Sequence, residues 1–378
     1  MKPLLLYVTD SDAMGGAEGY LQALIANADR KRYRVGLLLP ERQATRPLVE
    51  AAQALDTHVS FFNTIHQHGL DLRAIVQAAA ILRQLRPTII HFNLPAPRRS
   101  AEVMIAAALI GVPRRIATFQ LVGPIPRFGR IAGWARYLNR RLQYRALHCG
   151  IAVSDGNRNV LLNEYGFPSD RLMLISNAVD THYFRPRPDD GTLRHSLGIP
   201  PHVPLIGTAA RLTPTKGQSI LLTALPMIWA ADPNVHVVLA GAGGQEAELR
   251  QMAAGLPRSD QVHILGAIAD IRSLLAALDL FVLPSLAEGL PFAVLEAMAM
   301  ERAVVASAVG GTPEAVSDGV TGLLVTPVDS AQLAMAINRL LGDAALRERM
   351  GQAGRERVLE LFDQRVMLER TFGVYDSR

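Results

Sequence analysis

Leu205-Ile206-Gly207-Thr208-Ala209-Ala210-Arg211-Leu212-Thr213-Pro214-Thr215-Lys216-Gly217 reads as a short strand, a turn and the start of a helix. Arg211 and Lys216 follow the strand end, where the helix beginning near Gly217 presents its free amide groups. A guanidinium fork, a point charge and a helix N-terminus each stabilise phosphate oxygens, so the cluster suits a diphosphate. The chain has 36 arginines and three lysines, Lys2, Lys31 and Lys216, which leaves Lys216 the sole lysine of the second half. The alternative for this segment is an ordinary exposed pair on a loop.

The same strand, turn and helix recur from one end of the chain to the other. Strands are expected at Leu4–Val8, Arg34–Leu39, Val59–Phe62, Ile89–Phe92, Arg115–Thr118 and Ile151–Val153, with helices between them such as Leu70–Leu85 and Ser100–Leu109. The second half repeats the pattern at Leu205–Thr208, His236–Ala240, Val262–Leu265, Leu280–Leu283, Val304–Ser307 and Leu323–Val325, with helices from Ser330 to the C-terminus. Most of these strands are continuously apolar, as expected when helices cover both faces of a parallel sheet. The fold class is α/β, two doubly wound units, with a proline-rich boundary near Asn177–Pro204. Ligands of open α/β sheets sit outside the carboxyl ends of the strands, so two such units facing each other would hold substrates in the cleft between them.

Composition narrows the classes. With 378 residues, 49% of them hydrophobic and 19% charged, the chain can bury one or two ordinary cores. A single cysteine, Cys149, excludes an intramolecular disulfide framework and points to a reducing compartment. The apolar run at the start is shorter than a secretory signal, and no run of about 18 uncharged apolar residues is present, so no membrane span is expected. Residues 1–180 carry 22 Lys and Arg against 13 Asp and Glu, whereas residues 181–378 carry 17 against 21. Between Glu102 and Asp155 there are eight arginines and no acidic residue, a stretch that should attract anions.

A second constellation, Pro284-Ser285-Leu286-Ala287-Glu288-Gly289-Leu290-Pro291-Phe292-Ala293-Val294-Leu295-Glu296-Ala297-Met298-Ala299, again follows an apolar strand. Pro291 suits the first turn of a helix and leaves the amides of Phe292 and Ala293 free, while Gly289 lets a ligand approach the backbone. Glu296 is a carboxylate in an otherwise apolar run and needs a partner, for which sugar hydroxyls are suitable donors. Glu288 stands outside the helix, free for another part of the same ligand. The alternative is a solvent-facing Glu288 and a Glu296 paired to an arginine.

Other candidates are the turns Gly15-Gly16-Ala17-Glu18 and Gly310-Gly311-Thr312-Pro313-Glu314, either of which could admit a phosphate or sugar to the backbone. In Gly241-Ala242-Gly243-Gly244 the third glycine of a dinucleotide fingerprint would fall at Glu246, so a nicotinamide cofactor is disfavoured. His91, with Phe92, Asn93 and Pro95 behind it, is either a strand-end histidine that orients a hydroxyl or phosphate, or a hydrogen-bonded structural one. Asp10-Ser11-Asp12 lacks the further carboxylates of an oxygen cage and reads as capping and turn chemistry, so no metal is expected. In Pro126–His148 apolar residues recur at helical spacing among six arginines, including Arg145; such a helix either lies on anionic lipid or packs on its own domain.

Taken in order, these residues resemble the retaining glycosyltransferases called group 1 or family 4, which have the GT-B fold. The resemblance rests on Ala210-Arg211-Leu212 with Lys216-Gly217, Asp279-Leu280-Phe281-Val282-Leu283-Pro284-Ser285, the Glu288 and Glu296 pair, Ala297-Met298-Ala299, Gly310-Gly311-Thr312-Pro313-Glu314 and Asp318-Gly319-Val320-Thr321-Gly322-Leu323-Leu324-Val325. In the first half it is sparser: Gly15-Gly16-Ala17-Glu18 and Asn177-Ala178-Val179-Asp180.

The resemblance implies two Rossmann-like domains, 1–180 binding the acceptor and 181–360 the donor, with a final segment 361–378 whose helix returns to the first domain. It implies transfer of a sugar from a nucleotide diphosphate sugar to a hydroxyl acceptor with retention and without a metal or other cofactor. Arg211 and Lys216 would neutralise the leaving diphosphate. Glu288, with the backbone of Gly289, Leu290, Pro291 and Phe292, would hold the donor sugar, and Glu296 the ribose. Gly15, Gly16, His91 and Asn93 would serve the acceptor or phosphate loop. Two departures stand out: many members have His-x-His after the fourth strand, where this chain has His91 and Asn93, and the glycine that usually follows Ala-Met-Ala is replaced at Met300 and Glu301.

Further expectations are a glycan or lipid-linked acceptor in polysaccharide or cell-envelope synthesis, a cytoplasmic location, and peripheral contact with anionic membrane through the Arg-rich segment 114–145. No nucleic-acid partner is expected, because that stretch lacks a recognition module. The alternatives are a non-catalytic sugar-nucleotide binding protein and a sugar-nucleotide epimerase of similar fold.

Overall fold

The computed structural model describes residues 2–62, 71–97, 99–123 and 144–376. The chain divides into two compact units, Met1–Ser176 with Val366–Arg378, and Asn177–Arg365. The proline-rich stretch Asn177–Pro204 thus lies wholly in the second unit. There the guanidinium of Arg194 donates to the carbonyls of Val203 at 2.7 Å and Ala277 at 2.8 Å and pairs with Asp279 at 3.0 Å.

The first unit is built on the strands β1 (Leu4–Val8), β2 (Arg34–Leu39), β3 (His58–Phe61), β4 (Ile89–Leu94), β5 (Arg114–Phe119), β6 (Cys149–Ala152) and β7 (Leu172–Leu174). They form one parallel sheet in the order β3-β2-β1-β4-β5-β6-β7. Its central strands are buried along their whole length, which is why their sequences carry apolar residues without alternation. Helix Leu72–Leu85 begins where Asp71 accepts the amide of Arg73 at 2.7 Å and ends where Arg86 turns left-handed at φ 52°. It covers the sheet beside helix Ala101–Leu109 around Leu82, Ile90, Phe92 and Met104. No strand was expected at β7, a three-residue edge strand whose Met173 is exposed.

The second unit carries β8 (Leu205–Ala209), β9 (His236–Ala240), β10 (Val262–Gly266), β11 (Leu280–Leu283), β12 (Val304–Ser307) and β13 (Gly322–Val325), all parallel, in the order β10-β9-β8-β11-β12-β13. Helix Gln218–Ala231 packs Leu221, Leu222, Leu225 and Ile228 into the core beside Ile337 and Leu340 of helix Ser330–Leu341.

In each sheet the strand order reverses once, between β1 and β4 in the first and between β8 and β11 in the second. Loops that leave the carboxyl ends of such neighbours part in opposite directions and open a crevice for ligands. Helix Gln364–Asp376 ends in the first unit, where Tyr375 bonds His91 and Asp376 pairs with Arg32.

Candidate functional site

The loops after β8 and β11 meet outside the second sheet at its reversal point. Gly217, left-handed at φ 65°, stands where any Cβ would overlap the carbonyl of Pro284. Gly310, at φ 54°, is pressed in the same way onto the carbonyl of Glu288, and the amide of Gly311 donates to Gly289 at 2.6 Å. Leu286 donates to the carbonyl of Thr215 at 2.8 Å. Three strand-end loops are thus fixed backbone to backbone, and the chemistry-bearing side chains stand on a rigid base.

On that base Lys216 and Glu288 form an ion pair, Nζ to Oε1 at 2.6 Å. Ser285 donates its hydroxyl to the same oxygen at 2.6 Å. Glu288 is 7% exposed and Lys216 20%, so the pair is sheltered yet reachable. The second carboxylate oxygen of Glu288 has no hydrogen-bond partner among the described residues, and the ammonium of Lys216 has two further N–H groups. Arg211 is exposed, with no side-chain partner among the described residues, and its carbonyl accepts from Gln218 Nε2 at 2.9 Å. Arg211 and Lys216 therefore follow β8, and Glu288 follows β11, at one reversal point.

Helix Phe292–Ala299 starts at Pro291, and no backbone carbonyl among the described residues accepts from the amides of Phe292 or Ala293. Leu290 is buried, and its carbonyl accepts from Asn177 Nδ2 at 3.1 Å. Glu296 lies one turn into that helix, half-buried, with no side-chain partner among the described residues. Burial pushes its carboxyl up to about 7. The arginine partner considered for Glu296 is absent among the described residues, so its carboxylate can accept from a ligand hydroxyl.

The first unit treats its candidates differently. His91 is fully buried, with Nδ1 2.6 Å from the Tyr375 hydroxyl and Nε2 2.8 Å from that of Thr118, and desolvation lowers it to about 3. It therefore occupies the hydrogen-bonded structural position, not a place on the acceptor or phosphate loop: both ring nitrogens are engaged inside the core. Asn93 is also fully buried, donating to the carbonyl of Ala17 at 2.7 Å and accepting from Gln120 at 2.9 Å. Its side chain supports the glycine turn from beneath instead of facing a ligand. Gly15 and Gly16 are exposed at the start of helix Gly16–Asn27.

Asp10 accepts the amide of Ser100 at 2.7 Å, and burial pushes its carboxyl up to about 6, while Asp12 pairs with Arg99 at 3.0 Å. Asp10 thus serves the start of helix Ala101–Leu109, and Asp12 an ion pair. Among the described residues no three His, Cys, Asp or Glu side chains converge as metal ligands. No helix among them is long and apolar enough to cross a membrane. Most of the arginine-rich helix read over Pro126–His148 lies outside the described residues, including Phe128, Trp134 and Arg136; Arg114, Arg115 and Arg145 lie within them.

Two supporting residues carried no role in the sequence reading. Ser285 holds Glu288, and Gln218 holds the carbonyl of Arg211 from a fully buried position. A serine three residues before a carboxylate in a strand-end turn is the signal that could have found the first.

A family profile described as glycosyl transferases group 1 matches residues 189–357, and one described as glycosyltransferase family 4 matches residues 14–183. The alpha-maltose-1-phosphate synthase of Mycolicibacterium smegmatis is 33% identical over 72% of this chain and 74% of its own. A GDP-mannose-dependent monoacylated alpha-(1-6)-phosphatidylinositol monomannoside mannosyltransferase of Corynebacterium glutamicum is 35% identical over 96% of this chain and 95% of its own. Among solved structures, Anabaena HepE in complex with UDP superposes with a TM-score of 0.81 at 25% identity, covering 100% of both chains.

Proposed function

Because this chain belongs to the group 1 glycosyltransferases, family 4, we propose that it moves a sugar from a nucleotide diphosphate sugar to a hydroxyl of a glycan or lipid-linked acceptor, with retention of anomeric configuration and without a metal ion. The observation that carries the reading is the sheltered pair of Lys216 and Glu288 beside the unpaired Arg211, at the carboxyl ends of β8 and β11.

When a glycosyl bond to diphosphate breaks, negative charge gathers on the leaving phosphate. Lys216 is a cation already held at the strand end by Glu288, and Arg211 brings a second from the same loop, so that their charge does the work a metal ion does elsewhere. Glu288 turns its unpartnered carboxylate oxygen to donor sugar hydroxyls, with the backbone from Gly289 to Phe292 as the wall of that subsite. Glu296 accepts from the ribose hydroxyls, which relieves an otherwise unpaired carboxylate. Gly15 and Gly16 give the acceptor or its phosphate access to the backbone, with Asn93 and His91 holding the strand behind them.

The GDP-mannose in the name of the Corynebacterium glutamicum relative and the UDP bound to HepE favour GDP-mannose and UDP sugars as first donors to try; the setting proposed is synthesis of a cell-envelope glycan. The arginines flanking and within segment 114–145 favour peripheral contact with anionic membrane on its cytoplasmic side.

The test is release of nucleoside diphosphate from each donor, in chelator, with phosphoinositol and oligosaccharide acceptors, and NMR of the product's anomeric proton. Acceptor-dependent release that survives chelation and yields the donor's own anomeric configuration is expected. Tight nucleotide-sugar binding without turnover on any acceptor, or inversion, sinks the proposal.

A further inference from the structure

The first sheet carries another cationic feature at the ends opposite its glycine turn. Around the amino ends of β5, β6 and β7 a cavity of about 480 Å³ opens, lined by Arg114, Arg115, Arg145, Arg171, His148 and Asp170 among others. Neutral acceptors hold the guanidinium group of Arg115, and a backbone carbonyl takes one N–H of Arg114. Arg115 donates from Nη1 to the carbonyl of Val112 at 2.6 Å and from Nε to that of Ala146, and Arg114 donates to the carbonyl of Val374 at 2.7 Å. Backbone carbonyls fix where a cation stands without cancelling its charge.

Among the described residues the carboxylates nearby offer Arg171 and Arg145 little. Asp170 is 3.9 Å from Arg171, and Asp376, which feels Arg114, is itself paired with Arg32. Arg145 is exposed, with no side-chain partner among the described residues. His148 accepts the amide of Arg115 at 3.1 Å on Nδ1, and its partial burial followed by the charges of Arg115, Arg114 and Arg171 lowers its pKa. Among the described residues four guanidinium groups and one carboxylate line the cavity, and Arg115, Arg145 and Arg171 alone give an excess of positive charge that an anion would relieve.

We propose that this cavity binds a phosphoryl group, whose oxygens take the outward N–H groups of Arg145 and Arg171 while Arg114 and Arg115 supply fixed charge behind. The chemistry is that of inorganic phosphate, a soluble phosphomonoester or the headgroup of an anionic phospholipid. The inference does not depend on the transfer reaction, since it uses none of the loops after β8 and β11.

The experiment titrates inorganic phosphate into the full chain and into the double variant Arg145→Glu, Arg171→Glu, following heat of binding and the His148 ring protons. Any phosphate taken up by the loops of the second unit is common to both proteins, so the difference belongs to the cavity. In the unaltered chain one added class of phosphate should bind and move the His148 titration upward. In the double variant that class should weaken by about a hundredfold, the loss of two charge-assisted contacts. The single change Arg171→Gln, at a half-exposed side chain, should weaken it in the same direction and guards against a misfolded double variant.

Sedimentation with vesicles of phosphatidylglycerol and phosphatidylcholine separates the sources. Vesicle binding that phosphate competes away assigns a lipid headgroup; phosphate binding without vesicle binding assigns a soluble phosphate. Equal phosphate binding in all variants with an unmoved His148 overturns the proposal.

Discussion

The loops after β8 and β11 and the loops after β1 and β4 leave equivalent places in two sheets of the same winding, yet they spend their polar groups in opposite ways. In the first unit His91 is buried and engaged through both ring nitrogens with Tyr375 and Thr118, and Asn93 through its amide nitrogen and oxygen with Ala17 and Gln120, while Asp10 gives one oxygen to the Ser100 amide and keeps the other inside, 4.0 Å from Arg99. In the second unit Arg211 and Glu296 have no side-chain partner among the described residues, and Glu288 keeps one oxygen unengaged. The reversal point alone does not make a reactive site. Unspent charge on a rigid base distinguishes the second unit from the first.

The sharpest attempt to break that contrast is Lys216→Ala. Removing the ammonium leaves Glu288 with only a serine hydroxyl and strips one cation from the leaving group, so turnover should fall on the order of 10²- to 10³-fold. Steady-state release of nucleoside diphosphate measures it, and a loss below about tenfold would return Lys216 to the status of an ordinary loop charge.

The rigid base can be tested by pairing glycines. Gly310→Ala puts a methyl group into the Glu288 carbonyl at a left-handed φ and should cost about 2 to 3 kcal/mol in denaturant unfolding. Gly19→Ala, in helix Gly16–Asn27 where a Cβ meets nothing within 4 Å, should be neutral or add up to about 1 kcal/mol. Equal effects would mean that the close approach of the loops is not what holds the site.

Much of this architecture could be seen in the residues beforehand, for a simple reason. Continuous apolar runs mark strands covered on both faces, and Lys216, Glu288 and Glu296 stand out because their neighbours are apolar or lysine is scarce. The direction of His91 was not visible. On a strand buried on both sides, alternation carries no information about which face holds the ligand, and the decisive partner, Tyr375, lies 284 residues away. The arginine cavity was half visible: the basic stretch announced Arg114, Arg115 and Arg145, but Arg171 joins them only through the unforeseen edge strand β7.

The buried histidine gives the contrast a pH signature. His91 is lowered from its ordinary 6.5 to about 3 in the folded chain, so the unfolded chain binds the extra proton between those values. Its contribution is full above pH 6.5 and shrinks as pH falls towards 3, about 2 kcal/mol by pH 5. Asp10 and Glu296, raised by burial to about 6 and about 7, act the other way and favour the fold as they gain protons. The difference between the unaltered chain and His91→Gln isolates the histidine: from pH 7 to pH 5 the variant should lose less stability. Parallel pH curves would show that the ring is not held neutral in the core.

The smallest effect expected is at Ser285, and it separates holding a carboxylate from charging one. Ser285 adds no charge; it donates to the oxygen that Lys216 already engages. Ser285→Ala should therefore keep the ion pair and lose one hydrogen bond to a charged group, about 1.5 kcal/mol, or roughly tenfold in kcat/KM. Because Glu288 is assigned to the donor sugar, the loss should fall on donor KM and on discrimination between donor sugars more than on kcat. Ser285→Thr, which keeps the hydroxyl, should recover most of it. An unchanged KM with a depressed kcat would place Ser285 in the bond-breaking step itself and remove the division between the residues that hold the site and those that carry its charge.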